Sequence, residues 1–427
     1  MSVEFKKEIE KLGDYDIITL GGGVSGVAAA VTAARLGKKV LLVEKSMKLG
    51  GLATLGLVNF FVPMCNGRGK QIIFGMAEEL LRLSIKYGYD TLPKEFENGK
   101  IPEKLLKEYD EKGISPPRYA TKFSAEIFAL TLTEFCKENG VDLCFDTTLC
   151  DVLKGENGEI KGVLVNNKSG LGYFKAKEYI DATGDADLLR FADVPTLSRG
   201  NFHTYYGFMI TLDSCSRAVK EHNIGAAVGW IHGRSSNLYG GGHPEEIPLY
   251  FGEDFKEVNR YTVDNQLEML KKVKEFNREE MNVVTLPGMA QFRATSCING
   301  EYVLKENDVF RYFEDSVGAI CDFDRRDFLF EIPYRTMVKK GFDNCIAAGR
   351  TVAGEGYAWD VLRVIPPAII TGQAAGIACS HAIDQNKPIW DININALQNE
   401  LEKQNVIIHF DDSDINTKAL DIHENND

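Results

Sequence analysis

Three glycines, Gly21, Gly23 and Gly26 in the stretch LGGGVSGVAA, and one acid, Glu44, carry the first chemistry legible in this chain. The spacing GxGxxG suits the turn between a strand and a helix. The first glycine permits the turn, the second lets the backbone approach a pyrophosphate, and the third lets the helix pack on the strand. Free amides at the helix start, where Val24 and Ser25 stand, face the phosphates with help from the helix dipole. Glu44, followed by Lys45, falls where a carboxylate accepts hydrogen bonds from a ribose, and a carboxylate there disfavours a 2'-phosphate. The GxSxG-like context of Ser25 belongs to this phosphate loop, so a nucleophilic serine is not expected.

Shortly after Glu44 comes a second glycine pair, Gly50 and Gly51. A chain running close along an extended cofactor needs such residues, because they remove side chains from its path. An ordinary glycine turn accounts for the pair equally well. Arg293, Arg335, Arg350 and Arg363 are suited to bind a carboxylate or to offset cofactor charge, since guanidinium donates two parallel hydrogen bonds. Arg363 lies in the apolar text VLRVIPP and needs a partner if buried, which singles it out. Arg325 and Arg326 read as exposed. His203, in the aromatic stretch GNFHTYYGFMI, could exchange a proton beside hydride transfer; a histidine bonded within an aromatic core explains it as well. His203, His232 and His243 lack the tight spacing of metal ligands, and no metal site is expected. Cys65 stands alone and no CxxC occurs, which argues against dithiol chemistry.

Elements must hold these residues in place. YDIITL reads as a buried strand, VAAAVTAARLG as a helix and KKVLLVEK as the next strand, a compact strand–helix–strand unit ending at Glu44. IIFGMAEELLRLSIKYG reads as a helix within an excursion over about 66–117, and FSAEIFALTLTEFCKENG as an amphipathic helix. The turn GENGE joins two strands, and KEYIDATGDADLLRFADV returns to strand, turn and helix. From about Gly200 to Tyr334 aromatics, histidines and glycines crowd together and that pattern stops; from DNCIAAGR it resumes. The expected organisation is a cofactor domain in two pieces, 1–199 and 335–395, around an inserted part, 200–334, with a helix and acidic tail over 396–427.

Four ordered stretches, GGGVSGVAAAVTAARLGKKVLLVEKSMKLGGLATLGLV, YIDATGDADL, NCIAAGR and LRVIPPAIITGQAAGIA, resemble the FAD-dependent oxidoreductases related to fumarate reductase flavoproteins, and the resemblance covers nearly the whole chain. It implies an α/β, Rossmann-like FAD-binding domain of the glutathione-reductase type with an inserted mixed α+β domain that lids the substrate. It also implies that Gly21, Gly23 and Gly26 hold the pyrophosphate, Glu44 the ribose, Leu149 the adenine, and Gly50, Gly51 and Thr54 the ribityl chain and flavin. Thr183, Gly184 and Asp185 match a second cofactor-side turn, Gly349 and Arg350 the turn before the flavin, and Arg363 through Gly376, with Gly372 and Ala375, the helix at its pyrimidine end. A helix start there stabilises the charge of reduced flavin, and Pro366 and Pro367 suit a first turn. This chain departs from the family twice: Ser296 and Cys297 interrupt an arginine-rich run, and Gly356 and Tyr357 stand where relatives carry a His-Glu pair.

A length of 427 residues allows two structural parts and a large buried cofactor. A net charge of -13 repels nucleic acid and anionic membranes. The nine cysteines form no framework, and the charged opening MSVEFKKEIEKLGDYD lacks a secretion signal's apolar core, so the expected setting is cytoplasmic. The expected activity is hydride transfer between flavin and a small polar substrate such as a carboxylate. No second dinucleotide loop follows a strand, so the expected electron source is an organic donor, free reduced flavin or a protein partner. A flavoprotein of transfer RNA modification and a non-catalytic FAD-dependent scaffold remain open alternatives.

Overall fold

A computed structural model of the chain describes residues 6–156 and 158–415. Asn157 of the GENGE turn and the part of the expected acidic tail beyond residue 415 lie outside the described residues. Strand β1 (Ile17–Leu20) leads through the glycine loop into helix α1 (Val24–Arg35) and strand β2 (Val40–Val43). Strands β3 (Asp142–Cys144), β4 (Glu178–Asp181) and β5 (Cys345–Ala347) complete a sheet of order β5-β4-β1-β2-β3 in which every pair is parallel. Residues from both ends of the sequence therefore share one sheet. A parallel sheet covered on both faces needs continuous apolar strands, which IITL and VLLV supply. Ile17, Val40, Leu42 and Ile180 face the helices, whereas Ile18, Leu20, Leu41 and Val43 face a second sheet.

That second sheet contains Glu10–Asp14, Thr148–Lys154, Ile160–Asn167 and Gly170–Lys175. Its first strand lies in what reads from sequence as a charged leader. It is an exposed edge strand, paired in parallel with Gly170–Lys175, and so carries no apolar alternation. The excursion helix also differs from expectation, running over Met76–Ile85 and starting only after Gly75, whose φ of +61° breaks the apolar run before it.

Helix α2 (Ile365–Gln385) covers the other face of the parallel sheet, with its prolines in the first turn. It follows a short helix, Gly356–Leu362, across a 75° bend. Its glycines are explained by α1: a Cβ on Gly372 would lie 2.2 Å from the Ser25 carbonyl oxygen, and one on Gly376 would lie 2.4 Å from that of Ala29. No single described helix is long and apolar enough to cross a membrane.

In the middle of the chain, strand Thr204–Thr211 is central in a three-stranded antiparallel sheet, between Val228–Ser235 and Met281–Thr285. Tyr205 and Ile231 pack with Tyr261 and Met269 of the helix Phe255–Val273 to form a separate small core. Alternation then turns Thr204, Tyr206, Trp230 and His232 to the opposite face.

Candidate functional site

A cleft of about 620 Å³ runs along the carboxyl ends of the parallel strands. The three loop glycines divide by role. Gly21 has φ +100°, and a Cβ there would lie 2.4 Å from the Ala182 carbonyl oxygen; one on Gly26 would lie 1.9 Å from that of Gly21. Both are demanded by the fold. A Cβ on Gly23 meets nothing within 4 Å, and Gly23 opens on the cleft beside Val24 and Ser25. The start of α1 thus presents backbone to a ligand.

Glu44 is buried in the cleft wall, where its two carboxylate oxygens accept hydrogen bonds from the amides of Gly22 at 2.6 Å and Ser46 at 2.7 Å. Each oxygen keeps further accepting capacity, so the carboxylate is oriented and still able to receive hydroxyl donors. Lys45, Gly50, Gly51 and Leu149 line the same cleft. Thr54 does not reach it: its hydroxyl donates to the Leu49 carbonyl at 2.6 Å, and its side chain fills the place of a Gly50 Cβ. Thr54 therefore shapes the loop from behind.

Thr183, Gly184 and Asp185 form the opposite wall. The Thr183 hydroxyl donates to Asp181, whose buried carboxyl is pushed up to about 6 by desolvation. Asp185 accepts from Arg350 at 3.0 Å, and Arg350 also donates to the Phe292 carbonyl. A Cβ on Gly184 would lie 2.6 Å from that guanidinium, so the glycine admits the arginine. Gly349, with φ +74°, packs behind the loop, where a Cβ would lie 2.5 Å from Ser25 Oγ. Gly372 and Ala375 correct the sequence expectation. Both are buried in α2, Gly372 directly on the α1 backbone, and from this end of the chain it is Arg363, Ile365 and Ala368 that line the cleft. The helix start faces the cleft, and its small-residue stripe serves helix packing.

A second cavity, of about 360 Å³, adjoins the first. Arg363 borders both cavities. So does the segment Met289–Ala294: Met289, Ala290 and Phe292 face the cleft, and Gln291, Arg293 and Ala294 face the second cavity. Arg363 donates through Nε to Asp360 at 2.7 Å, and Arg199 reaches the other Asp360 oxygen at 2.8 Å. Burial pushes the Arg363 guanidinium down to about 10, with Asp360 opposing the shift, so it stays charged at neutral pH. Arg199, Arg293 and Arg363 line the cavity with Asp360 as its acidic residue.

His203 is not at this cavity. It is fully buried, with Nδ1 3.0 Å from the Tyr250 hydroxyl, on the side of its strand that faces the small core. His232 lines the cavity instead, and burial together with Lys272 lowers its pKa below the ordinary value. Arg335 forms an exposed pair with Asp315 at 2.9 Å, away from both cavities. Arg325 and Arg326 are half-buried rather than exposed: the first lies 4.0 Å over the Tyr357 ring, and the second donates to the carbonyls of Gly67 and Pro116. Sequence reasoning missed Arg199, Asp360 and the 289–292 wall.

A family model described as FAD dependent oxidoreductase matches residues 16–222 and 252–401. Digeranylgeranylglycerophospholipid reductase 1 of Methanococcoides burtonii is 26% identical over 262 residues, 57% of this chain and 59% of that protein. Fumarate reductase (cytochrome) of Shewanella frigidimarina is 24% identical over 194 residues, 40% of this chain and 33% of that protein. The chain thus spans less than two thirds of the length of these relatives. Among solved structures, a geranylgeranyl bacteriochlorophyll reductase-like protein of Thermoplasma acidophilum is 14% identical, with a TM-score of 0.44 over 93% of this chain and 83% of that one.

Proposed function

This chain belongs to the FAD dependent oxidoreductase family, and from that premise we propose that it moves a hydride between its flavin and a small organic anion such as a carboxylate. FAD is the cofactor, and the cleft fits it: an open Gly23 backbone, an oriented Glu44 and a helix start lie along one continuous groove. Gly23, Val24 and Ser25 would hold the pyrophosphate, Glu44 the ribose, and Arg350, Arg363 and Ile365 the far end. When bound, FAD supplies the hydride-accepting or hydride-donating centre.

The observation that carries the reading is the arginine-lined cavity sharing Arg363 with the cofactor cleft, in a protein of net charge -13. Three guanidiniums against one carboxylate leave positive charge for an anion, and charge-assisted hydrogen bonds in a partly enclosed pocket orient it strongly. Asp360 bridges Arg199 and Arg363 and so fixes the donor directions of both. His232 lines this cavity, its pKa lowered by burial and Lys272 so that it is neutral at pH 7, and it would take up or return the proton that accompanies the hydride. Phe202, Phe323 and Leu238 narrow the cavity and limit water. In the reductive direction, electrons come from an organic donor, free reduced flavin or a protein partner.

The test is anaerobic mixing of FAD-loaded protein with a panel of small carboxylates. Oxidisable acids should bleach the flavin absorbance, or unsaturated acids should reoxidise photoreduced flavin. A full panel that does neither overturns the reading.

A further inference from the structure

We propose that the molecule held in the arginine-lined cavity is a planar aromatic or conjugated carboxylate, packed against Trp230 on the aromatic wall and with its anionic end at Arg293 and Arg363. This rests on the reading above and names the substrate class within it.

The sheet itself makes the aromatic wall. Tyr206 pairs directly with His232 across two antiparallel strands, and Phe208 with Trp230, so period-2 alternation sends Tyr206, Trp230 and His232 to one face. Their ring centroids lie 5.5 Å apart for Tyr206 and Trp230 and 5.6 Å apart for Tyr206 and His232. The rings are tilted to one another, by 35° for Tyr206 and Trp230 and by 46° for Tyr206 and His232, so they form an angled aromatic wall in which Tyr206 is buried and Trp230 is the exposed part. Trp230 is 48% exposed, although it lines a cavity and the other face of its sheet is packed on a helix. Lys122 Nζ lies 5.4 Å over the Trp230 ring, and the remaining exposed indole surface is a large apolar plane available to a ligand.

Charge and ring are combined at one point. The Arg293 guanidinium lies 5.8 Å over the Tyr206 ring, which sets a carboxylate-binding group beside the aromatic wall. A branched aliphatic acid leaves part of the ring faces uncovered. The cavity volume of about 360 Å³ is at the low end for ligand pockets, which favours one or two fused rings over a long chain.

Isothermal titration of the full-length, FAD-loaded protein with 2-naphthoate and with its saturated counterpart decahydro-2-naphthoate tests this. Stacking predicts that naphthoate binds roughly tenfold more tightly. Trp230→Leu should bring the ratio close to unity, Trp230→Phe should keep most of it, and Arg293→Met should weaken both ligands. If the saturated acid binds as well as the aromatic one, or if only small aliphatic acids bind or bleach the flavin, the aromatic class is wrong while the anion pocket stands. If no carboxylate of any kind binds or bleaches, the hydride-transfer reading itself fails.

Discussion

The glycines at 23 and 372 both fall in small-residue stretches near α1, yet the structure assigns them opposite duties, and alanine at each separates these. Gly23 has φ -64° and ψ 174°, a conformation open to any residue, and its added Cβ touches nothing within 4 Å. Gly23→Ala should therefore leave the stability of the cofactor-free protein within about 1 kcal/mol of the parent, and chain entropy favours a slight gain. The methyl group instead projects into the cleft, where the proposed pyrophosphate path runs. Displacing a close backbone contact by one methyl costs about 1–3 kcal/mol, which is about 5- to 150-fold in FAD affinity. Gly372→Ala places Cβ 2.2 Å from the Ser25 carbonyl oxygen, far inside a relaxed contact. The helices must part, at a cost of about 1–3 kcal/mol of stability before any cofactor is added. Thermal melting of the cofactor-free proteins and FAD titration followed by flavin fluorescence measure the two effects separately. If Gly23→Ala melts low while retaining parental FAD affinity, Gly23 is a packing residue and the loop does not approach the phosphates.

Arg363→Lys keeps the charge but loses the planar fork on Asp360; with FAD content retained, kcat/KM for the substrate should fall about 10- to 150-fold, the worth of one charge-assisted hydrogen bond. Arg363→Met should still fold, because Asp360 retains Arg199 at 2.8 Å, and circular dichroism with a melting curve checks that. His232 has a folded pKa below its ordinary 6.5, so it is neutral at pH 7 and the folded state loses stability as the pH falls from 6.5 through the folded value. Lys272→Gln removes a repelling charge and should move the acid limb of the pH–rate profile upward; an unmoved limb would assign that limb to another group. His203→Gln should lower the melting temperature through its lost Tyr250 contact and leave the pH profile in place.

The cofactor half of the fold was legible because its signals are local. GxGxxG sits between a four-residue apolar strand and an alanine-rich helix, and Glu44 ends the next strand, so spacing alone brings these residues to one edge of the sheet. The pairing of β4 with β5 was reached through motif order, since no local pattern reports which distant strands are neighbours. Gly372 and Ala375 failed for a different reason: small residues on a helix serve cofactor approach and helix packing alike, and composition does not distinguish them. His203 failed on parity. In HTYY the strand alternates, and which parity faces the cavity is set by the helix Phe255–Val273 covering the other side, a tertiary fact absent from the stretch itself. Arg199 and Asp360 are hidden for another reason: they meet only when two segments far apart in sequence converge.

Segment Met289–Ala294 explains why both cavities depend on one short piece of chain. Its side chains divide between the two, Phe292 entering the first cleft and Gln291 and Arg293 the arginine-lined cavity. Its backbone is held from both directions. Arg350, paired with Asp185 in the cleft, donates to the Phe292 carbonyl, while the Arg293 amide donates to Asn201 at 2.8 Å on the far side. Gln291 adds donations to the carbonyls of Gly56 and Tyr206, tying the glycine-rich cofactor loop region to the aromatic strand. A wall anchored at both faces keeps a nearly fixed thickness, and that thickness sets the separation between whatever fills the two cavities. Arg363, at the bend where the short helix meets α2, closes the remaining edge of the wall. Under the proposed function, backbone hydrogen bonds of the partition would set the substrate's position relative to the cofactor, and the side chains on its other face would be free to determine which anion is accepted.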